Sequence, residues 1–142
     1  MAALAVLMNR VFKILIWLGK IAAIIITIVA IAFYFLLPDM CGNYLHSESY
    51  SPNGELKAVT FQRDCGATTG FSTQISILNA DDELENEMGN IFRMAGHPDE
   101  VAPNVSWKSD SVLIIDAHIN GKEYFTESSY GWFSPIEIQY GR

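Results

Sequence analysis

Hydrophobic positions along the chain fall into two regimes. From Val11 to Leu37 they are almost continuous, and the only charges are Lys13 and Lys20. A helix with no polar face over such a length is a bilayer helix, since a helix on a soluble domain needs a solvated side. The uncharged stretch from Ile21 to Leu37 falls slightly short of a hydrocarbon core of roughly 30 Å. Extension back through Trp17 to Ile14 supplies the length, with Lys20 and Lys13 reaching toward the headgroups. Pro38 is the expected stop. The pattern therefore divides the chain into an N-terminal segment 1–13, a transmembrane helix 14–37 and a domain 38–142.

Past Pro38 the period changes from helical to two. "SPNG" at Ser51–Gly54 reads as a turn. "ELKAVTFQR" follows, with Val59 and Phe61 on one face and Leu56, Ala58 and Thr60 on the other. "FSTQISIL" alternates cleanly, with Phe71, Thr73, Ile75 and Ile77 on a shared face. "RDCGATTG", from Arg63 to Gly70, joins these two strands as a hairpin tip. Further strands are expected at "IFRM", at "VSWKS" with Val105 and Trp107 inward, at "DSVLIIDAHI", at "EYFTE" and at "SPIEIQY". "NGK" at Asn120–Lys122 is a hairpin signal. About seven short strands at regular spacing indicate a mainly β fold: an N-terminal transmembrane helix followed by a small antiparallel β-sheet or sandwich domain.

Charge gives this arrangement an orientation. Arg10, Lys13 and Lys20 precede or enter the apolar run, and all 16 acidic residues lie at Asp39 or later. Six basic residues accompany them, so the segment after the anchor carries a formal charge of −10. Basic flanks stay in the cytoplasm. The expectation is a bacterial inner-membrane protein, single-pass, with a cytoplasmic N-terminus and a periplasmic C-terminal domain. "AIA" at Ala30–Ala32 would suit a signal-peptide cleavage site, but the apolar run continues past it, which favours an uncleaved anchor. The bulky Met40 before Cys41 departs from a lipoprotein signal.

The export direction decides the chemistry of the two cysteines. In an oxidising compartment Cys41 and Cys65 read as a disulfide. Cys65 lacks the arginine six residues on that a cysteine phosphatase loop needs, since Phe71 stands there. No serine-hydrolase elbow is present. His46, His97 and His118 are scattered and show no zinc spacing, so no metal and no cofactor is expected. The run "DDELENE", Asp81–Glu87, alternates acids as calcium loops do. Leu84 interrupts it and it contains no glycine, so it reads as a solvated loop. The acidity argues against nucleic acid and for a basic protein partner.

The candidate recognition residues are Arg63, Asp64, Thr68 and Thr69 at the hairpin tip, and Tyr130, Trp132 and Phe133 in "YGWFSP". The aromatics read either as interface anchors or as a closure of the core. "CGN", "SPNG", "FQRDCGATTGFSTQISIL" and "VSWKSDSVLII" together resemble a family of small exported bacterial proteins with a membrane segment or lipoprotein signal and a β-rich domain. The resemblance covers about Cys41 to Tyr140. It implies export and a Cys41–Cys65 pair, and it supplies no catalytic residues. Expected partners are the lipid bilayer, through the helix, and a protein. The favoured function is non-enzymatic binding, as an inhibitor or immunity protein against a toxin or hydrolase. The rivals are an accessory subunit of an envelope complex and a hydrolase using Asp64, Thr68 or Thr69.

Overall fold

The structure is a computed structural model and describes residues 2–36, 41–66 and 68–141, the side chains of 2–7, 9, 35 and 36 excepted. The helix stop expected at Pro38, the Met40 step before Cys41 and Ala67 of the hairpin tip lie outside the described residues. Two compact units are present, Met1–Pro38 and Asp39–Arg142.

The first unit is helix α1, Ala2–Leu36. Within it Arg10–Tyr34 has a mean hydropathy of 2.6 over 25 residues, a length of about 37 Å at the helical rise and enough to cross a bilayer. Such a helix serves as a membrane anchor or as a signal sequence. It starts well before Ile14, because Ala2–Met8 is composed of helix-favouring residues that continue it. Segment 1–13 is thus largely the first turns of α1. Thr27 settles its hydroxyl internally, donating to the Ala23 carbonyl at 2.9 Å.

The second unit is two packed sheets. One has strand order β1 (Gly42–Tyr50), β2 (Leu56–Asp64), β3 (Ser72–Asn79), β4 (Phe92–Ala95) and β7 (Phe125–Thr126). The other has β5 (Asn104–Ser109), β6 (Val112–Asp116), β9 (Ile136–Tyr140) and β8 (Ser129–Tyr130). A single helical turn, α2 (Pro98–Val101), lies between β4 and β5. The fold is mainly β with an N-terminal apolar helix, as the pattern predicts. The inter-sheet core comprises Ala58, Ile75, Ile77, Ile91, Phe92, Leu113, Ile115, Ile136 and Ile138, with Val105, Trp107 and Tyr140 packed against it.

Strand β2 is buried on both faces. Ala58 and Thr60 pair with Ile77 and Ile75 on the inter-sheet side, while Val59 and Phe61 pair with Ser76 and Gln74 on the outer side. Val59 and Phe61 are nevertheless fully buried. The cover is the acidic segment 80–90, which lies as a strap over that outer face. Gly89 N–H donates to Gln74 Oε1 at 2.7 Å and Asn90 N–H to Ser76 Oγ at 3.1 Å. The domain therefore has a partial third layer where the sequence suggested a solvated loop.

Three other features depart from a simple meander. β1 is a nine-residue strand with no apolar alternation, because it is a solvated edge. β6 and β9 pair in parallel. "NGK" forms a turn, with Gly121 at φ +82° and the Lys122 N–H bonded to Asn120 Oδ1, but not a hairpin. Both sides of β6 are taken by β5 and β9, so the chain leaves Asp116 for the other sheet. It returns at Glu127–Ser128, where Glu127 N–H bonds Ile91 O and Ser128 O accepts from Ile138 N–H. Tyr140 fastens this crossover by donating to Glu127 O at 2.8 Å, and burial pushes its phenol up to about 12.

The disulfide Cys41–Cys65 is formed, with a sequence separation of 24 and a Cα–Cα distance of 3.8 Å. It joins the start of β1 to the end of β2. By chain entropy a loop of this size contributes about 3 kcal/mol. Cys41→Ser and Cys65→Ser should each lower the unfolding free energy of the domain by that amount, and by the same amount as the double variant, in denaturant melts followed by far-UV circular dichroism. Unequal single-variant losses would show a separate role for one thiol.

Candidate aromatic and acidic docking surface

Of the four hairpin-tip residues, Asp64 and Thr69 build the tip itself. Arg63 is buried, and its guanidinium donates to Asn43 Oδ1 at 2.8 Å and Asn86 Oδ1 at 3.1 Å. Asp64 Oδ1 accepts from the Gly66 N–H at 2.9 Å, and Thr69 bonds Gly66 O through both its N–H and its hydroxyl. Thr68 is exposed. Among the described residues neither threonine hydroxyl bonds a histidine.

Arg63 instead belongs to a junction that positions the strap. Asn43 Nδ2 donates to the carbonyls of Glu85 and Glu87 at 2.8 and 2.6 Å, and Asn86 Nδ2 donates to Cys41 O at 2.7 Å. The far end of the strap is held by Asn90, whose side-chain amide exchanges two bonds with Ile77, Oδ1 accepting and Nδ2 donating, each at 2.9 Å. Arg93 Nε donates to Gly89 O at 2.6 Å, and its guanidinium stacks 4.3 Å over the Phe125 ring. Two arginines thus grip the strap from below through neutral oxygens.

The strap's carboxylates face the other way. Asp81, Asp82, Glu83, Glu85 and Glu87 are exposed. The ion pairs among the described residues are Lys57–Glu48 and the contacts of His46 and His97 with Asp99, so the strap's carboxylates make no ion pair among the described residues, and Lys57 acts on Asp82 only at longer range. A cavity of about 340 Å³ opens between these acids and the side chains of Leu78, Leu84 and Met88. Among the described residues no group of three or more His, Cys, Asp or Glu side chains forms a metal-holding cluster.

Trp132 and Phe133 are fully solvent-exposed, at 97% and 103% of their reference areas, whereas Tyr130 in β8 is half-buried against the core. The three aromatics therefore divide, with Tyr130 as the base and Trp132–Phe133 as the tip. Gly131, at φ +95°, makes the bend that a side chain would strain. The loop 131–135 closes the end of β9 opposite Tyr140, the same end as the Ser109–Ser111 turn, because Ser129 and Tyr130 pair with Glu137 and Ile136. That end is remote from the disulfide.

No protein-family model, curated protein or solved structure matches the chain.

Strap and tip meet at Asn90. It lines the cavity beneath the strap and also a shallow basin of about 680 Å³ with Glu127, Tyr130, Gly131 and Trp132. Asn90 thus joins the strap's exposed carboxylates and apolar floor to the base of the Trp132–Phe133 loop. The acids and aromatics of this surface are visible in the sequence. Asn43, Gln74, Asn86 and Asn90, which fix its shape, carry no periodic signal there.

Gly89 is where the strap lies closest to the sheet. A Cβ there would meet Gln74 Cβ at 2.9 Å and the Ile75 and Phe92 carbonyl oxygens at 3.0 Å. Gly89→Ala should therefore destabilise the domain by about 1–3 kcal/mol, read in a urea melt. An unchanged midpoint would mean that the strap does not rest on β3.

Proposed function

We propose that this chain is a membrane-anchored binding protein of the bacterial envelope. α1 holds it in the inner membrane with the N-terminus inside, and the disulfide-bonded domain faces the periplasm. The domain captures a basic protein and blocks it, in the manner of an inhibitor or immunity protein against a toxin or hydrolase. The observation that carries this reading is the complete exposure of Trp132 and Phe133 on a loop whose base is packed into the core. Large aromatics are the residues most enriched among interface anchors. Leaving two of them solvated costs hydrophobic free energy that a partner's cleft would recover.

The acids beside the tip specify the partner's charge. Exposed carboxylates on one face attract a basic surface and raise the rate of encounter, and the attraction weakens as salt rises. Association driven by the aromatic tip and steered by the strap should combine slow dissociation with salt-dependent binding.

A photo-crosslinking amino acid placed at Phe133 in living cells tests this. The expected result is one protein adduct, lost when Trp132→Ser is added and reduced when Glu83, Glu85 and Glu87 are changed to Gln. Trp132→Ser should leave domain stability within about 0.5 kcal/mol, as expected of an exposed site. A crosslinker at Phe133 that captures only lipid, or nothing, would sink the proposal.

A further inference from the structure

We propose that one face of α1 binds an anionic phospholipid. Arg10, Lys13 and Lys20, with Trp17 among them, form a basic stripe that takes the headgroup phosphate, and the acyl chains run on along Ile24, Ile28 and Ile31. The inference rests on the reading of α1 as a membrane anchor and adds to it a choice of lipid.

The helical period places the stripe. Steps of three, four and three residues lead from Arg10 through Lys13 and Trp17 to Lys20. At 3.6 residues per turn these positions share an arc of about 80°. Phe12, Leu15 and Gly19 occupy the opposite side of the same turns. The basic residues of the helix are therefore gathered on one side, and α1 contains no aspartate or glutamate to answer them. All three are exposed, and none makes an ion pair among the described residues. Arg10 and Lys13 are neighbours on the helix surface and repel each other, and an anion set against both relieves that repulsion.

Depth favours a lipid over a soluble anion. Lys20 lies inside the apolar span Arg10–Tyr34, where an ammonium needs a polar partner. Its Cα–Cβ bond tilts toward the helix N-terminus, so its chain is directed toward Trp17 and toward Lys13, about 10 Å away along the axis. The level it reaches is the boundary between headgroups and hydrocarbon, where lipid phosphates lie and where an indole is best accommodated. Beyond the stripe the same side of the helix continues as Ile24, Ile28 and Ile31, all exposed, an apolar track for acyl chains. A zwitterionic headgroup brings its own cation and offers the stripe no net charge. An anionic phospholipid offers both the charge and the chains.

Trp17, in the middle of the stripe, reads the neighbouring lipid by fluorescence. The full chain, with Trp107→Phe and Trp132→Phe so that Trp17 alone emits, is reconstituted in phosphatidylcholine vesicles holding a fixed share of phosphatidylglycerol. In one preparation the phosphatidylglycerol carries brominated acyl chains, and in the other an equal amount of the phosphatidylcholine does, so surface charge is the same in both. Quenching per brominated lipid should correspond to about fivefold enrichment of phosphatidylglycerol beside Trp17. Lys13→Leu combined with Leu15→Lys moves one charge to the opposite face and keeps the net charge. That variant should reduce the enrichment to about twofold or less. Equal quenching by the two lipids, or enrichment that survives the moved charge, overturns the proposal and leaves the anchor in place. Absence of quenching by either lipid would put α1 outside the bilayer and overturn both.

Discussion

The buried guanidinium of Arg63 is the contact on which the shape of the β domain depends. It sits at the end of β2, two residues before Cys65, and bonds two amide oxygens, one on β1 and one on the strap. The donors that burial withdraws from water need partners. Here Asn43 and Asn86 accept from Nη1, Asn43 in turn donates to the Glu85 and Glu87 carbonyls, and Asn86 donates to that of Cys41. The disulfide closes the same corner covalently. The corner therefore fixes where β1 begins, how β2 ends and where the strap crosses, and Phe61 is buried as a result.

This arrangement divides the charges of the domain by role. Arg63 and Arg93 face inward and bind neutral oxygens of the strap, and Lys57 is tied to Glu48. Three of the domain's six basic residues are thereby used in construction, and the acids of the strap make no ion pair among the described residues. Beside them the chain changes sheets at Glu127–Ser128 and, anchored by Tyr130 and Tyr140, projects Trp132 and Phe133 into solvent. An acidic face next to an aromatic tip follows from how the core is closed, and that face is the basis of the proposed binding role.

The sequence made some of this legible. Alternation located β2, β3, β5, β6 and β9, because each places apolar side chains on the shared core, and the apolar run located α1. β1 escaped notice because "GNYLHSESY" is an edge strand whose residues are mostly solvated, and the bulge at His46 breaks its alternation. The parallel pairing of β6 with β9 is non-local and leaves no mark on either strand. The acids of the strap were plain, but its attachment was not, since asparagine–backbone bonds have no period. Cys65 was legible as half of a disulfide, and that bond is formed; Arg63, read as a recognition residue, is buried and bonded to Asn43 and Asn86. The sequence of the Trp132–Phe133 loop favours closure of the core over an interface, and the full exposure of both side chains overturns that reading.

The central claim is that Arg63 holds the strap to the sheet. Amide hydrogen exchange of residues 81–91, compared between the parent protein and Arg63→Met, tests it most directly, because methionine keeps much of the buried volume and removes the donors. The account predicts that protection is lost at Gly89 and Asn90, the strap amides bonded to Gln74 and Ser76, while the β6 and β9 amides in the second sheet keep theirs. Unchanged exchange throughout the strap in Arg63→Met would contradict it.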